Sequence, residues 1–214
     1  MDVLTVLGAF GYFCVMDRVL ELLRVEGRYY AIHALHNAAI TVLTAPNVYQ
    51  SLLLDPTCFA TPIIASQLII ALHLYHCWMY FEKLRIDDWI HHALMIGVAL
   101  PLGLSVPSGS LMGMSLFFTT GLPGGIDYVL LALVRNGRLA SDVEKRANAA
   151  IQVWVRSPGC VAVAALIVRQ AFTHEKATAF YKVASVLTAG LNYWNGQYFM
   201  TQVVYDVGRR QLLT

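Results

Sequence analysis

The feature that most constrains this chain is a succession of apolar runs that fills nearly its whole length. About 20 apolar residues are what an α-helix needs to cross the roughly 30 Å hydrocarbon core of a bilayer. The pattern predicts an all-α fold, a polytopic membrane bundle of about seven transmembrane helices. The predicted spans are residues 3–23, 29–52, 60–82, 87–104, 110–134, 147–172 and 180–207.

The composition agrees with a membrane domain and leaves little room for anything else. Hydrophobic residues make up 57% of the chain and charged residues 13%, whereas a soluble domain carries about 25% charged residues. No polar stretch is long enough to fold alone. The net charge of +2 says nothing by itself. For such an apolar chain we expect membrane lipids, and no nucleic acid, as partners.

The basic residues predict the orientation of the bundle. Cytosolic loops of membrane proteins carry an excess of Lys and Arg. With seven spans, two lysines (Lys176 and Lys182) fall on the opposite side and Arg169 inside the sixth span. The N-terminus is therefore predicted to be lumenal and the C-terminus cytosolic. The other twelve of the fifteen basic residues fall on one side: Arg18, Arg24, Arg28, Lys83, Arg85, Arg135, Arg138, Lys145, Arg146, Arg156, Arg209 and Arg210.

The chain divides into an N-terminal transmembrane helix with a basic loop (1–28), a six-helix membrane domain (29–210) and a short tail (211–214). The first run has no basic leader and is expected to be a mature helix. "RSPG" at 156–159 is predicted to break the sixth run into an amphipathic entry and a true span. "SGSLMGMS" and "GLPGGI" are small-residue surfaces suited to close packing, within the fold or against another membrane subunit.

Six of the seven histidines are predicted to lie at one depth. At about 1.5 Å per residue, they sit roughly 6 to 14 Å below the same cytosolic surface. Polar groups in the hydrocarbon are costly and usually face a bundle interior or a wet cavity. We expect them to line a cavity that opens toward the cytosolic leaflet, although interhelical hydrogen bonding is an alternative for each pair. The six are His33, His36, His73, His76, His91 and His92.

The histidines favour two kinds of chemistry. In the first, one imidazole of the His91–His92 doublet is a general base or a transient acyl acceptor, tuned by Asp88. In the second, the i,i+3 pairs chelate a metal. The doublet residues lie about 100° apart on a helix, so they cannot supply two convergent ligands, and the metal hypothesis is disfavoured. Asp87 and Asp88 can equally be helix N-caps.

Further polar residues lie in the predicted spans. Arg169 is either paired with Asp127 or an anchor for a lipid phosphate or carboxylate, because guanidinium binds such groups bidentately. Asn192 and Asn195 share a face of the last span. They can line the same cavity or form ordinary interhelical hydrogen bonds.

The order of these features resembles the TLC domain, the membrane domain of ceramide synthases and related proteins. "YYAIHALHNAAITVL" is similar to its first core helix, whose histidine falls on His36, and "KLRIDDWIHHALMIGVALPLG" is similar to its signature segment, with the pair His91 and His92. "AVAALIVRQAF" resembles a later helix with a buried arginine, here Arg169. "LNYWNGQYFMTQVVYDVGRR" resembles the last helix.

The resemblance implies lipid metabolism in the endoplasmic reticulum or another organellar membrane. Its implied activity is acyl transfer from acyl-CoA, a co-substrate with no other cofactor, to a lipid amine or hydroxyl such as that of a sphingoid base. One departure is that 114–133 lacks the family's His-Asp pair and holds a single acid, Asp127. The rival hypothesis is a non-catalytic lipid-binding module or an accessory subunit of a larger membrane complex.

The predicted site follows from both lines of argument. The candidate catalytic residues are His91, His92, His36 and Asp88. The candidate substrate-binding residues are His33, His73, His76, Arg169, Asn192 and Asn195.

Overall fold

In the computed structural model, residues 2–54, 60–106, 109–175 and 177–211 are described, and these form helices and short connections without a strand. Lys176, part of the loop at 52–62 and the tail from 212 to 214 lie outside the described residues. The side chain of Asp87, one of the two candidate N-caps, lies outside them as well.

Each of the seven apolar runs contains a helical segment. A short 3-10 turn, Phe81–Lys83, connects the third and fourth of them. Their bounds agree with the predicted runs to within a few residues, apart from the start of the sixth. The segments are α1 (Val3–Leu22), α2 (Arg28–Leu53), α3 (Ile63–Met79), α4 (86–105), α5 (Leu111–Arg135), α6 (Ser141–Thr173) and α7 (Ala179–Gln211).

Three of these helices are long and apolar enough to cross a membrane, namely α1, α5 and α6. The helix α3 is apolar but shorter. This finding agrees with the prediction of a helical membrane protein. The seven-span count and the orientation of the termini remain predictions.

Three of the segments contain a wide π turn. The π turns are Met95–Ala99 in α4, Phe117–Gly121 in α5 and Gln152–Arg156 in α6. The last one immediately precedes Ser157 and Pro158, and α6 continues through them. The prediction that "RSPG" breaks the sixth run is therefore wrong, because the π turn widens the helix where the proline ring would otherwise meet a carbonyl of the preceding turn.

The small-residue surfaces of α5 pack against α2. A Cβ on Gly113 would clash with Asn47 Oδ1, and a Cβ on Gly124 would lie 2.7 Å from Asn37 Nδ2. Both glycines thus let the α2 backbone and its polar side chains approach α5 closely. Of the two alternatives for these surfaces, packing within the fold accounts for Gly113 and Gly124.

The helix α1 is held to the rest of the fold by a buried carboxylate. Asp17 is fully buried, and its Oδ1 lies 3.2 Å from Arg28 Nε at the start of α2. Its Oδ2 accepts hydrogen bonds from the hydroxyls of Tyr75 and Tyr80. Phe13 of α1 packs in the same region against Tyr75. The N-terminal helix is thus packed on α2 and α3.

Candidate functional site

Five of the six depth-matched histidines come together between α2, α3 and α4. We call them the histidine cluster: His33, His73, His76, His91 and His92. The rings of His33 and His76 have their centres 4.3 Å apart. The rings of His73 and His92 are 4.9 Å apart, those of His76 and His92 5.4 Å, and those of His73 and His91 5.7 Å.

The connection between α3 and α4 explains this convergence. The turn Phe81–Lys83 reverses the chain, so residues at similar distances before and after it face each other. His73 and His76 lie on one face of α3, because residues three apart are neighbours on a helix. The doublet on α4 meets that face, and both of its rings contact His73. His92 is buried, whereas His91 is exposed.

Hydrogen bonds fix the tautomer of two cluster members. His33 Nδ1 lies 2.6 Å from the Tyr29 carbonyl oxygen, and His73 Nδ1 lies 2.7 Å from that of Ile69. A carbonyl oxygen only accepts, so each Nδ1 carries the hydrogen and each Nε2 presents a lone pair. Within the described residues, the buried Nε2 of His73, both ring nitrogens of His76 and Nδ1 of His92 have no partner. Unpaired buried nitrogens are costly and typical of functional sites.

His36 lies outside the histidine cluster, although the sequence predicts a similar depth for it. Its ring packs against Phe13 of α1, and its Nδ1 donates to Asn37 Oδ1 at 2.8 Å. Residue counting along a helix sets depth, whereas the rotation of the helix decides which neighbour a side chain meets. The structure therefore separates this candidate catalytic residue from the doublet.

Asp88 caps α4. It is the third residue of that helix, and its carboxylate accepts a hydrogen bond from the backbone N–H of Arg85 at 2.9 Å. The Arg85 Nε lies 3.6 Å from the same carboxylate oxygen. In the described part of the chain, no hydrogen bond joins Asp88 to His91 or His92. The capping alternative therefore accounts for the position of Asp88. The residue caps the helix from inside its first turn and is not itself the N-cap residue.

Sequence reasoning missed the aromatic wall of the cluster. Tyr29 lies 4.0 Å and Tyr128 lies 4.2 Å from the ring of His33, measured between ring centres. Tyr29 also lies 5.0 Å from His76. The spacing of Tyr29 and His33, four residues on one helix, was a signal that they share a face. Tyr128 lies on α5, and no local pattern links it to the cluster.

The cluster does not have the geometry of a chelate. The rings of His33 and His76 are nearly parallel, with 13° between their planes, so their nitrogens do not converge on one point. No group of three or more His, Cys, Asp or Glu side chains in the described ranges is arranged to hold a metal ion.

An apolar pocket lies beside the cluster, between α3, α4, α5, α6 and α7. About 890 Å³ of empty space lies in and in front of the pocket, a figure that includes solvent outside its open mouth. Leu94, Met95, Leu100 and Leu191 contribute to its walls, and none of the histidines lines it. The expectation of a histidine-lined cavity is thus wrong for this pocket, but Met95 lies one helical turn after His91. The polar side chains that line the pocket are Ser115, Thr119, Thr188, Asn192 and Asn195.

The two asparagines differ in their contacts. Asn192 uses both ends of its amide within the fold, because Ser115 Oγ donates to its Oδ1 at 2.5 Å and its Nδ2 donates to the Thr188 carbonyl at 2.9 Å. Asn195 Oδ1 accepts two hydrogen bonds from the guanidinium of Arg156. Asn192 therefore has an interhelical role, while Asn195 connects the pocket to a buried charge.

The buried arginine is Arg156, and the sequence pointed to Arg169 instead. Arg169 is exposed on α6, and within the described residues it has no ion pair with Asp127 or another acid. The expectation that it is buried is wrong. Arg156, counted above among the loop residues, is only 9% exposed. Because Arg156 lies inside the π turn of α6, it belongs to a helix and not to a basic loop.

Comparisons with family models, with curated proteins and with solved structures find no match for this chain. The function therefore has to be inferred from the residues and their geometry.

Proposed function

We propose that this chain is a polytopic membrane protein that binds lipid in the apolar pocket and transfers an acyl group with the histidine cluster as base. In this proposal all seven helical segments cross an organellar membrane, with the N-terminus lumenal and the C-terminus cytosolic. The observation that carries it is the convergence of five imidazoles from three helices, with unpaired nitrogens, beside an apolar pocket. The resemblance to the TLC domain points in the same direction.

His91 is the proposed base, because it is the exposed member of the doublet and lies one turn from the pocket wall at Met95. The oxygen or nitrogen of a lipid hydroxyl or amine attacks the thioester carbon of acyl-CoA. As the new bond forms, the proton passes to His91. The carbon–sulfur bond then breaks, and the leaving thiolate takes that proton.

The other imidazoles position His91 in this proposal. His73, fixed as a tautomer by the Ile69 carbonyl, lies against the His91 ring with 24° between the planes. His92 is buried against His73 and His76 and anchors α4 to α3. The doublet thus has one outward and one inward member, as adjacent helical positions require.

The second candidate function is lipid binding without catalysis. It is supported by Asp88, whose carboxylate is held by Arg85 and does not orient a histidine. It is also supported by the pocket lining, which contains no histidine. An accessory-subunit role has less support, because Gly113 and Gly124 pack within the fold.

The two candidates are separated by release of free CoA from a long-chain acyl-CoA, measured on the purified chain in vesicles with a sphingoid amine or a lipid alcohol. Acyl transfer predicts release in the wild type and its loss in His91→Ala. The matched control is His174→Ala, an exposed histidine on the loop between α6 and α7. Equal release from wild type and His91→Ala would contradict His91 as the base, and co-purified lipid without any release would favour the second candidate.

A further inference from the structure

Arg156 is a buried cation with an unusual set of partners. Its Nε and Nη2 donate to Asn195 Oδ1 at 3.3 and 3.1 Å, and Nη2 also donates to the Thr119 carbonyl. Its guanidinium carbon lies 4.3 Å from the centre of the Phe199 ring. All of these partners are neutral.

The charge of Arg156 is not neutralised by an ion pair. Across the described ranges, no carboxylate lies within 4.0 Å of its guanidinium. Asp127 lies only within longer electrostatic range. Burying a cation away from water is expensive unless an anion compensates it. The surroundings of Arg156 therefore favour the binding of a negatively charged ligand.

Asn195 links this charge to the pocket. Both Asn195 and Thr119 line the pocket, and they are the two hydrogen-bond partners of Arg156. Because Arg156 holds the Oδ1 of Asn195, the amide is oriented with its Nδ2 donors directed elsewhere. Those donors have no partner among the residues that the structure describes. One end of an apolar pocket is thus lined by an asparagine that has a positive charge directly behind it.

We propose that this end of the pocket binds the oxyanion headgroup, a carboxylate or a phosphate, of a long-chain amphiphile. The chain lies against the apolar walls at Leu94, Leu100 and Leu191. Asn195 Nδ2 donates to the headgroup, and Arg156 supplies the compensating charge. This inference rests on the proposed lipid-handling function and adds to it the charge class of the lipid.

The test compares four probes that carry a long chain, an oxyanion or both. Oleate and oleyl phosphate carry chain and oxyanion, oleyl alcohol carries the chain alone, and inorganic phosphate carries the oxyanion alone. Binding is measured by native mass spectrometry of the full chain and by displacement of a fluorescent fatty acid. The variants are Arg156→Gln and Arg156→Lys, and the matched control is Arg169→Gln, which removes an exposed arginine of the same helix.

The wild type is expected to bind oleate or oleyl phosphate at least tenfold more tightly than oleyl alcohol. Arg156→Gln should lose that preference and keep its affinity for the alcohol, while Arg156→Lys and Arg169→Gln should keep the preference. Equal affinity of the wild type for acid and alcohol would overturn the inference without any variant having to fold, and leave lipid binding standing. Displacement of the fluorescent fatty acid by inorganic phosphate alone would overturn the inference that the ligand is an amphiphile. Binding of no long-chain probe would instead contradict the proposed function itself.

Discussion

The imidazole of His33 on α2 stacks on the imidazole of His76 on α3, with 4.3 Å between the ring centres and 13° between the ring planes. Tyr29 contacts both of these rings, and Tyr128 contacts the ring of His33. Two like charges this close in a low-dielectric interior repel strongly, so the stack requires that both rings are not charged together. The pair is therefore a packing contact between α2 and α3, and the rest of the histidine cluster lies next to it.

Removal of one ring of this stacked pair should destabilise the fold. We expect His33→Ala to lower the free energy of unfolding by about 2 kcal/mol, because a buried ring is replaced by a cavity. His33→Phe keeps a ring of similar shape and should lose less. The measurement is unfolding in mixed micelles, with the exposed His174→Ala as control. A stability of His33→Ala equal to that of the control would show that the stack contributes nothing.

Two glycines of α7 give a matched test of the packing between α6 and α7. A Cβ on Gly196 would lie 2.7 Å from Cys160 Cβ, whereas a Cβ on Gly190 meets nothing within 4 Å. Gly196→Ala should cost about 1–3 kcal/mol through overpacking. Gly190→Ala should be neutral or stabilising by up to about 1 kcal/mol, because alanine favours the helix. Equal melting temperatures for the two variants would contradict the helix contact.

The role of Asp88 can be separated into capping and catalysis. If the carboxylate only caps α4, Asp88→Ala should cost about 1 kcal/mol of stability. Asp88→Asn keeps an acceptor for the Arg85 N–H and should retain both fold and CoA release. A stable Asp88→Asn variant that releases no CoA would show instead that the carboxylate acts on the histidines.

Asp17 should be the most sensitive charge of α1. Asp17→Ala leaves Arg28 without its buried partner and the hydroxyls of Tyr75 and Tyr80 without an acceptor. We expect a loss of about 3 kcal/mol, since removal of one partner of a buried pair is strongly destabilising. The exposed pair between Arg18 and Glu21 serves as control, because Arg18→Ala should cost less than about 1 kcal/mol. Similar losses in both variants would argue against a buried anchor.

The helices could be predicted because their limits depend on distance along the chain, and the common depth of the histidines, which rests on the same counting, stays a prediction. Apolar run length fixes where a helix fits, and the rise per residue fixes how deep a side chain lies. Such counting grouped all six histidines, and five of them form the histidine cluster. The rotation of each helix about its axis could not be read from the sequence, which is why His36 lies against Phe13 instead.

The sequence pointed to Arg169 instead of Arg156 for a related physical reason. A π turn inserts an extra residue into a helix, and so shifts every later side chain to a different face. The turn Gln152–Arg156 places Arg156 inside the fold, next to Asn195 and Thr119, while Arg169 faces outward. Hydropathy cannot detect such a shift. The proline two residues after Arg156 was the only local signal, and it indicated a break rather than a wide turn.

Native mass spectrometry of the gently purified chain, before and after addition of long-chain acyl-CoA and a lipid acceptor, tests the proposed acyl transfer. We expect a bound lipid in the first spectrum, and acylated acceptor with free CoA in the second, with the product lost in His91→Ala but the bound lipid retained. A wild-type chain that carries no lipid and leaves the acyl-CoA intact would contradict it.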